Sequence, residues 1–296
     1  MNNNNDLLKK YAEMINCEFE NYIIKNGNRY DNVKEAMLYS LQGGGKRLRA
    51  VLVLEFCRIN GGDINAALPF ACAIEMVHSY SLIHDDLPCM DNSDTRRGKP
   101  SCHKKFGEAN ALLTGDALLT MAFYVIQSAS VDTRIGAESC INAIKSLSVG
   151  AGIDGMVGGQ IMDLQNENCQ NEVDEQILRQ THIKKTGALI KSACEMGVLA
   201  AHATEEARID AIKFGGELGL AFQIVDDILD VEGDCEKLGK PVGNDGNKTT
   251  FVTLFGLETA KIMANEATER AMNILKQYKN SDFLQFLTQT MLDRKA

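Results

Sequence analysis

The chain has 296 residues, with 31 Lys and Arg against 40 Asp and Glu, a formal charge of −9. That acidic surplus argues against a nucleic-acid wrapper. With 45% apolar and 24% charged residues, the chain is no intrinsically disordered polymer and can bury a large core. The longest charge-free stretch, 117–131, falls short of the roughly 20 apolar residues of a bilayer span. The Asn-rich residues 1–5 lack the basic and apolar parts of a signal peptide. A cytoplasmic protein without stable membrane insertion is expected. The nine cysteines form no Cys-x-x-Cys pair and no zinc spacing, so they read as reduced thiols.

In chain order, the first punctuation is Gly43, Gly44 and Gly45, followed by Lys46, Arg47 and Arg49; Gly61 and Gly62 mark a second break. The stretch 71–83 repeats apolar residues at helical spacing on most sides and predicts a helix in the middle of a bundle. It leads into Asp85, Asp86 and Asp91, and then a basic run, Arg96, Arg97 and Lys99. No proline stands between Pro100 and Pro241, and the intervening Ala, Leu, Ile, Met, Glu and Lys suit long helices. Gly158 and Gly159 read as a further break, Lys184-Lys185-Thr186 as a basic cluster, and Asp226, Asp227 and Asp230 as a second carboxylate set. Gly-rich text with Lys240 and Lys248 follows, and 255–278 has a helical rhythm through Leu257, Ile262, Ala267, Ala271 and Leu275. The expected fold is all-α, a bundle of long helices forming one domain over 1–296.

The two carboxylate sets are the main signal. Asp226 and Asp230 are four apart and Asp227 and Asp230 three apart, so all three share one helix face. In the first set, a regular helix would swing Asp91 about 120° from Asp85. Pro88 disfavours a helical Leu87 and lets the chain bring Asp91 back. A lone Asp run is often a solvated helix end, but two runs attached to apolar helices point to divalent cations. All-oxygen ligands suit magnesium held partly by phosphate oxygens. The glycines can expose backbone amides, and Arg49 and Arg97 offer bidentate forks to a diphosphate. A P-loop does not fit, because Gly-x-x-x-x-Gly-Lys-Ser/Thr is absent.

His84-Asp85 is similar to the core of the all-helical His-Asp phosphohydrolases, a rival reading that would draw on His78 or His103 as ligands. It leaves the second Asp set and Arg96-Arg97 without a role. His182 and His202 carry no motif and read as structural.

Five ordered motifs span nearly the whole chain: Gly44-Gly-Lys-Arg-Leu-Arg49, Leu82-Ile-His-Asp-Asp-Leu-Pro-Cys-Met-Asp-Asn92 with Arg96-Arg97-Gly98, Lys185-Thr186, Phe222-Gln-Ile-Val-Asp-Asp-Ile-Leu-Asp230, and Gly239-Lys240. Together they resemble the trans-isoprenyl diphosphate synthases, and among these the bacterial farnesyl type. The resemblance implies helices around a central cavity with the Asp motifs facing across its mouth, a homodimer, and Mg2+-dependent condensation of isopentenyl diphosphate with dimethylallyl and geranyl diphosphates. It implies that Asp85, Asp86, Asp91, Asp226 and Asp230 hold about three magnesium ions. Arg96, Lys185, Lys240, Lys248 and Asp227 would complete the allylic site, and Gly45, Lys46, Arg49, His78 and Arg97 the isopentenyl site. Thr186 and Gln223 resemble residues whose oxygens face the carbocation.

In that family a large aromatic five residues before the first Asp stops growth near fifteen carbons, so Tyr80 beside Ser81 implies a farnesyl rather than a geranylgeranyl product. Phe251 stands where Tyr is common, at the end of a loop that looks shorter than usual. Cys89 stands where Ala is common, with no catalytic role expected. The basic residues 294–295 read as a frayed end. A terpene cyclase would lack the Gly-Gly-Lys-Arg and Arg-Arg-Gly segments, and a non-catalytic partner subunit would lack the Asp motifs.

Overall fold

Helix-forming composition with few prolines turns almost every segment into a helix. A computed structural model describes residues 2–24, 30–168, 173–232 and 249–292; Lys240, Lys248 and residues 294–295 lie outside them. The only strands among the described residues are Thr95–Arg96 (β1) and Lys99–Pro100 (β2), an antiparallel hairpin. The chain divides into two compact units, Met1–Ile144 with Leu199–His202, and Lys145–Val198 with Ala203–Ala296.

The first unit is built on α1 (Asn2–Ile24), α2 (Asp31–Gln42), α3 (Leu48–Ile59), α4 (Ile64–Asp85), α5 (Cys102–Phe106) and α6 (Glu108–Ser128). The expected central helix is α4. The Asp63 side chain caps its start by accepting from Asn65 N at 2.9 Å. Its run from Phe70 to Val77 is wholly buried because α1, α3 and α6 pack around it. Tyr11, Phe19, Phe56 and Phe70 fill the core. By length and composition both α4 and 108–131 could cross a membrane, so the 15 charge-free residues at 117–131 understate the apolar run. For α4, 72% of that apolar window is buried inside the unit, which accounts for its character.

The second unit holds α8 (Met156–Asn168), α9 (Glu175–His182), a π-helical turn (Ile183–Gly187), α10 (Ala188–Ala200), α11 (Glu205–Glu232), α12 (Phe251–Phe255), α13 (Leu257–Leu275) and α14 (Asp282–Leu292); α7 (Gly136–Ala151) spans the division between the units. The long α11 carries Gly215 and Gly219 where a Cβ would come within 2.7 Å of Lys191 Cα and of Gly187 Cα, so the glycines allow close backbone approach. Helix α13 packs on α11 through Ala260, Ala264, Ala267 and Ala271. Ile262, expected on its apolar rhythm, is exposed instead, because two positions from Ala260 and from Ala264 it falls about 200° round the helix, on the face away from α11. Gly158 and Gly159 do not break the chain. They lie inside α8, where a Cβ on Gly159 would sit 2.5 Å from Lys185 Cα.

Candidate active site

The glycine loop is fastened by the middle basic residue of its motif. Arg47, left-handed at φ 51° and buried, donates to Asn16 Oδ1 from Nε at 3.2 Å and from Nη2 at 3.1 Å. It also donates to the carbonyls of Gly44, at 3.1 Å, and of Leu41, and lies 3.9 Å from the buried Glu75 carboxylate. Glu75 in turn accepts from Ala50 N at the start of α3. Lys46 projects into solvent and Arg49 is half-buried.

Arg97 lies across the same loop and donates to the Gly44 carbonyl. A Cβ at Gly45 would fall 2.8 Å from its Cζ, and Gly44 and Gly45 hold φ values of 105° and 104° that other residues resist. Arg97 and Gly98 form the turn between β1 and β2, with φ 54° and 74°, as a tight two-residue hairpin requires. His78 on α4 is surrounded by the fields of Arg49, Arg97, Arg47 and Arg96. Burial first, and these guanidiniums second, hold its imidazole well below its ordinary 6.5 and therefore neutral. This neighbourhood attracts anions and leaves His78 a neutral hydrogen-bonding group.

The first Asp set sits where α4 ends. The last helical bond runs from Asp86 N to Leu82 O, and the chain then curls so that Asp91 N donates to the Asp85 carbonyl at 2.9 Å while Asn92 N reaches Leu87 O at 3.1 Å. The curl brings Asp91 back beside Asp85, as Pro88 predicted. Asp86, expected among the metal ligands, is buried and gripped by Arg96 from Nε at 3.1 and 3.2 Å and from Nη2 at 2.5 Å. Burial alone would lower the Arg96 pKa, but the bond to Asp86 and the charges of Asp86, Asp85 and Asp91 outweigh it and raise it. A cavity of about 40 Å³, lined in part by Ser40, Ser79, Asp86 and Arg96, adjoins this fork. Cys89, between the carboxylates of this set, is exposed to solvent.

Tyr80 is buried, edge-on to His84 with ring centroids 5.6 Å apart, and burial followed by the Asp85 charge pushes its hydroxyl up to about 12. Ser81 Oγ is turned back onto its own helix, donating to His78 O. His84 Nε2 lies 3.1 Å from the Leu112 carbonyl on α6, and its ring fits over Gly115. The imidazole is thus engaged by α6 through Nε2.

In the second unit the Lys185-Thr186 motif falls in the π-helical turn, a wide turn that often marks functional positions. Lys185 Nζ pairs with Asp163 Oδ2 at 2.5 Å. On α11, Gln223 Nε2 donates to Asp226 Oδ2 at 3.4 Å and its Oε1 lies 3.1 Å from His182 Nδ1. Asp227 is buried and accepts from Phe251 N at 2.8 Å, which anchors the start of α12. Asp230 is half-buried.

The donor chemistry fits magnesium. Asp85 with Asp91, and Asp226 with Asp230, are carboxylate pairs brought near each other by a chain curl and by helical spacing. Among the described residues no three His, Cys, Asp or Glu side chains form a closed metal cage. Magnesium needs none, since it keeps waters and substrate phosphates in its shell and takes one or two carboxylates.

The polyprenyl synthetase family matches residues 30–291. The chain belongs to that family. Within it, the chain is 47% identical over 233 residues, 78% of each chain, to the farnesyl diphosphate synthase of Bacillus subtilis. It is 42% identical to geranylgeranyl pyrophosphate synthase 7 of Arabidopsis thaliana over 252 residues, 84% of this chain and 72% of that one. The fold matches the crystal structure of an FPP/GFPP synthase from Zymomonas mobilis with a TM-score of 0.87 at 34% identity, over 98% of this chain and 99% of that one. As a polyprenyl synthetase the chain is a prenyl-transferring enzyme. Sequence reasoning missed two supports in each unit: Arg47 as loop clamp and Gly115 under His84 in the first, and Asp163 beside Lys185 and His182 beside Gln223 in the second. Only Gly115 had a local signal, a glycine inside helical text with no turn around it.

Proposed function

We propose that this polyprenyl synthetase condenses isopentenyl diphosphate with dimethylallyl and geranyl diphosphates to (2E,6E)-farnesyl diphosphate, acting as one synthase domain over 1–296. The observation that carries the reading is the grip of Arg96 on Asp86, which fixes a guanidinium beside Asp85 and Asp91. A cation placed there meets the negative charge that grows on a diphosphate as its carbon–oxygen bond breaks. Asp85, Asp91, Asp226 and Asp230 would hold about three magnesium ions, which supply Lewis-acid stabilisation of that leaving group when bound.

Arg96 and Lys185 bind the oxygens of the allylic diphosphate, with Lys240 and Lys248 assigned there by resemblance alone. Lys46, Arg49, Arg97 and neutral His78 hold isopentenyl diphosphate, whose double bond attacks the allylic carbocation. Thr186 faces that cation, and the departed diphosphate accepts the proton lost on elimination. Closure against water protects the cation from capture as an alcohol. Tyr80, buried five residues before Asp85, favours a fifteen-carbon product over a twenty-carbon one. The exposed apolar residues Leu112, Leu113 and Tyr124 on α6 suit contact with a second copy in a cytoplasmic homodimer.

Mass spectrometry of products from isopentenyl diphosphate with dimethylallyl or geranyl diphosphate, with magnesium and with a chelator, tests this. A magnesium-dependent fifteen-carbon diphosphate is expected. A twenty-carbon product would reject the stopper and keep the chemistry, whereas phosphate release without chain growth would overturn the reading.

A further inference from the structure

His182 carries no motif, yet three side chains fix its place: Phe251, Asp227 and Gln223. It is the last residue of α9, its ring stacks on Phe251 at 5.5 Å and 22°, and its Nε2 lies 3.9 Å from Asp227 Oδ2. Asp227 also holds the backbone N–H of Phe251, and the Arg179 guanidinium lies 5.4 Å from the Phe251 ring centroid. Held in this way, the ring presents Nδ1 to Gln223 at 3.1 Å.

The direction of these bonds follows from what each group can do. The Asp226 carboxylate only accepts, so the Gln223 amide must turn its NH2 toward Asp226. The carbonyl Oε1 then faces His182, and a carbonyl also only accepts, so His182 must present an N–H from Nδ1. The polarity of the whole chain of bonds is therefore set from the Asp226 end. It differs from the family-based expectation for Gln223, whose oxygen is engaged by His182 here.

We infer that His182 is a positioning residue for the second carboxylate set: its Nδ1–H locks the Gln223 amide so that the amide NH2 orients Asp226. This deepens the magnesium-dependent reading above and rests on it for the role of Asp226. It needs no contact between His182 and substrate.

The test compares variants of the full chain. His182→Phe keeps the ring stack on Phe251 and removes the donor; His182→Asn restores a donor near Nδ1; His182→Gln places one near Nε2. Two readouts are taken: kcat with the magnesium concentration for half-maximal rate, and Mn2+ binding by electron paramagnetic resonance in the presence of inorganic diphosphate. H182F and H182Q should each raise the half-saturating magnesium and weaken Mn2+ binding about tenfold, the worth of one well-placed hydrogen bond. H182N should recover most of both. In a Gln223→Leu background, H182F should add less than about twofold, since the two side chains act through one path.

The inference is overturned if H182N is as impaired as H182F, if the two effects multiply in the double variant, or if H182F leaves Mn2+ binding unchanged. Should the wild-type chain fail to condense isopentenyl diphosphate, the functional reading fails. The Mn2+ comparison still decides the positioning role.

Discussion

Replacing Asp86 by Asn tests whether this carboxylate serves Arg96 or a metal. The fork places three N···O distances of 2.5 to 3.2 Å between a side chain 3% exposed and one 25% exposed. Charge-assisted hydrogen bonds contribute about 1.5–3 kcal/mol, and the partial exposure of Arg96 sets the loss near the lower end, about 2 kcal/mol. If that loss appears as a misplaced guanidinium in the transition state, kcat/KM for geranyl diphosphate falls about 30-fold. The magnesium concentration for half-maximal rate should move by less than about twofold, since the reading proposed above assigns the magnesium to other carboxylates. Steady-state rates with labelled isopentenyl diphosphate at several magnesium concentrations supply both numbers. A large rise in the magnesium requirement with an unchanged kcat/KM at saturating metal would refute the argument and make Asp86 a ligand. Arg96→Lys, which keeps the charge and loses the fork, should resemble Asp86→Asn.

Gly115→Ala would put a Cβ 2.5 Å from His84 Cδ2 and drive the ring off the Leu112 carbonyl. Overpacking of this kind costs about 1–3 kcal/mol, read as a lower thermal midpoint that His84→Ala in the same chain should largely restore. Tyr80→Ala should lengthen the product, and an unchanged product mixture by mass spectrometry would remove its role as stopper; assays belong at low temperature, since opening the core there costs about 3–5 kcal/mol. Because folded His78 stays neutral while the unfolded chain takes up that proton below about pH 6.5, stability is full above that pH. As the pH falls beneath it the loss grows by at most about 1.4 kcal/mol per unit, so the urea midpoint should drop from pH 7 to pH 5 and His78→Gln should flatten the drop.

What the sequence disclosed was whatever is local in it. The α4 helix announces itself through a 3.6-residue rhythm that is apolar all round, and the curl at Asp91 follows from one proline three residues after Asp85. Spacing alone put Asp226 and Asp230 on one face of α11. What stayed hidden joins residues far apart in the chain: His182 meets Gln223 41 positions on, and Lys185 meets Asp163 22 positions back. No periodicity records such pairs. Gly159 misled for a related reason, since its lack of a Cβ serves an approach by Lys185 rather than a turn.

The arginines show why composition could name a phosphate site without dividing its labour. Arg47, Arg49, Arg96 and Arg97 look alike as text, yet their bonds separate them. Arg47 is enclosed and gives its donors to Asn16 and to the carbonyls of Leu41 and Gly44, so truncating it would loosen the glycine loop itself. Arg96 is aimed by a carboxylate, and Arg97 lies against Gly45, whose missing Cβ leaves room for its guanidinium. The charge that draws a diphosphate is collective, while the geometry that orients it is assigned one guanidinium at a time. For that reason an Arg→Lys exchange at Arg47 should appear as lost stability, and the same exchange at Arg96 as lost rate.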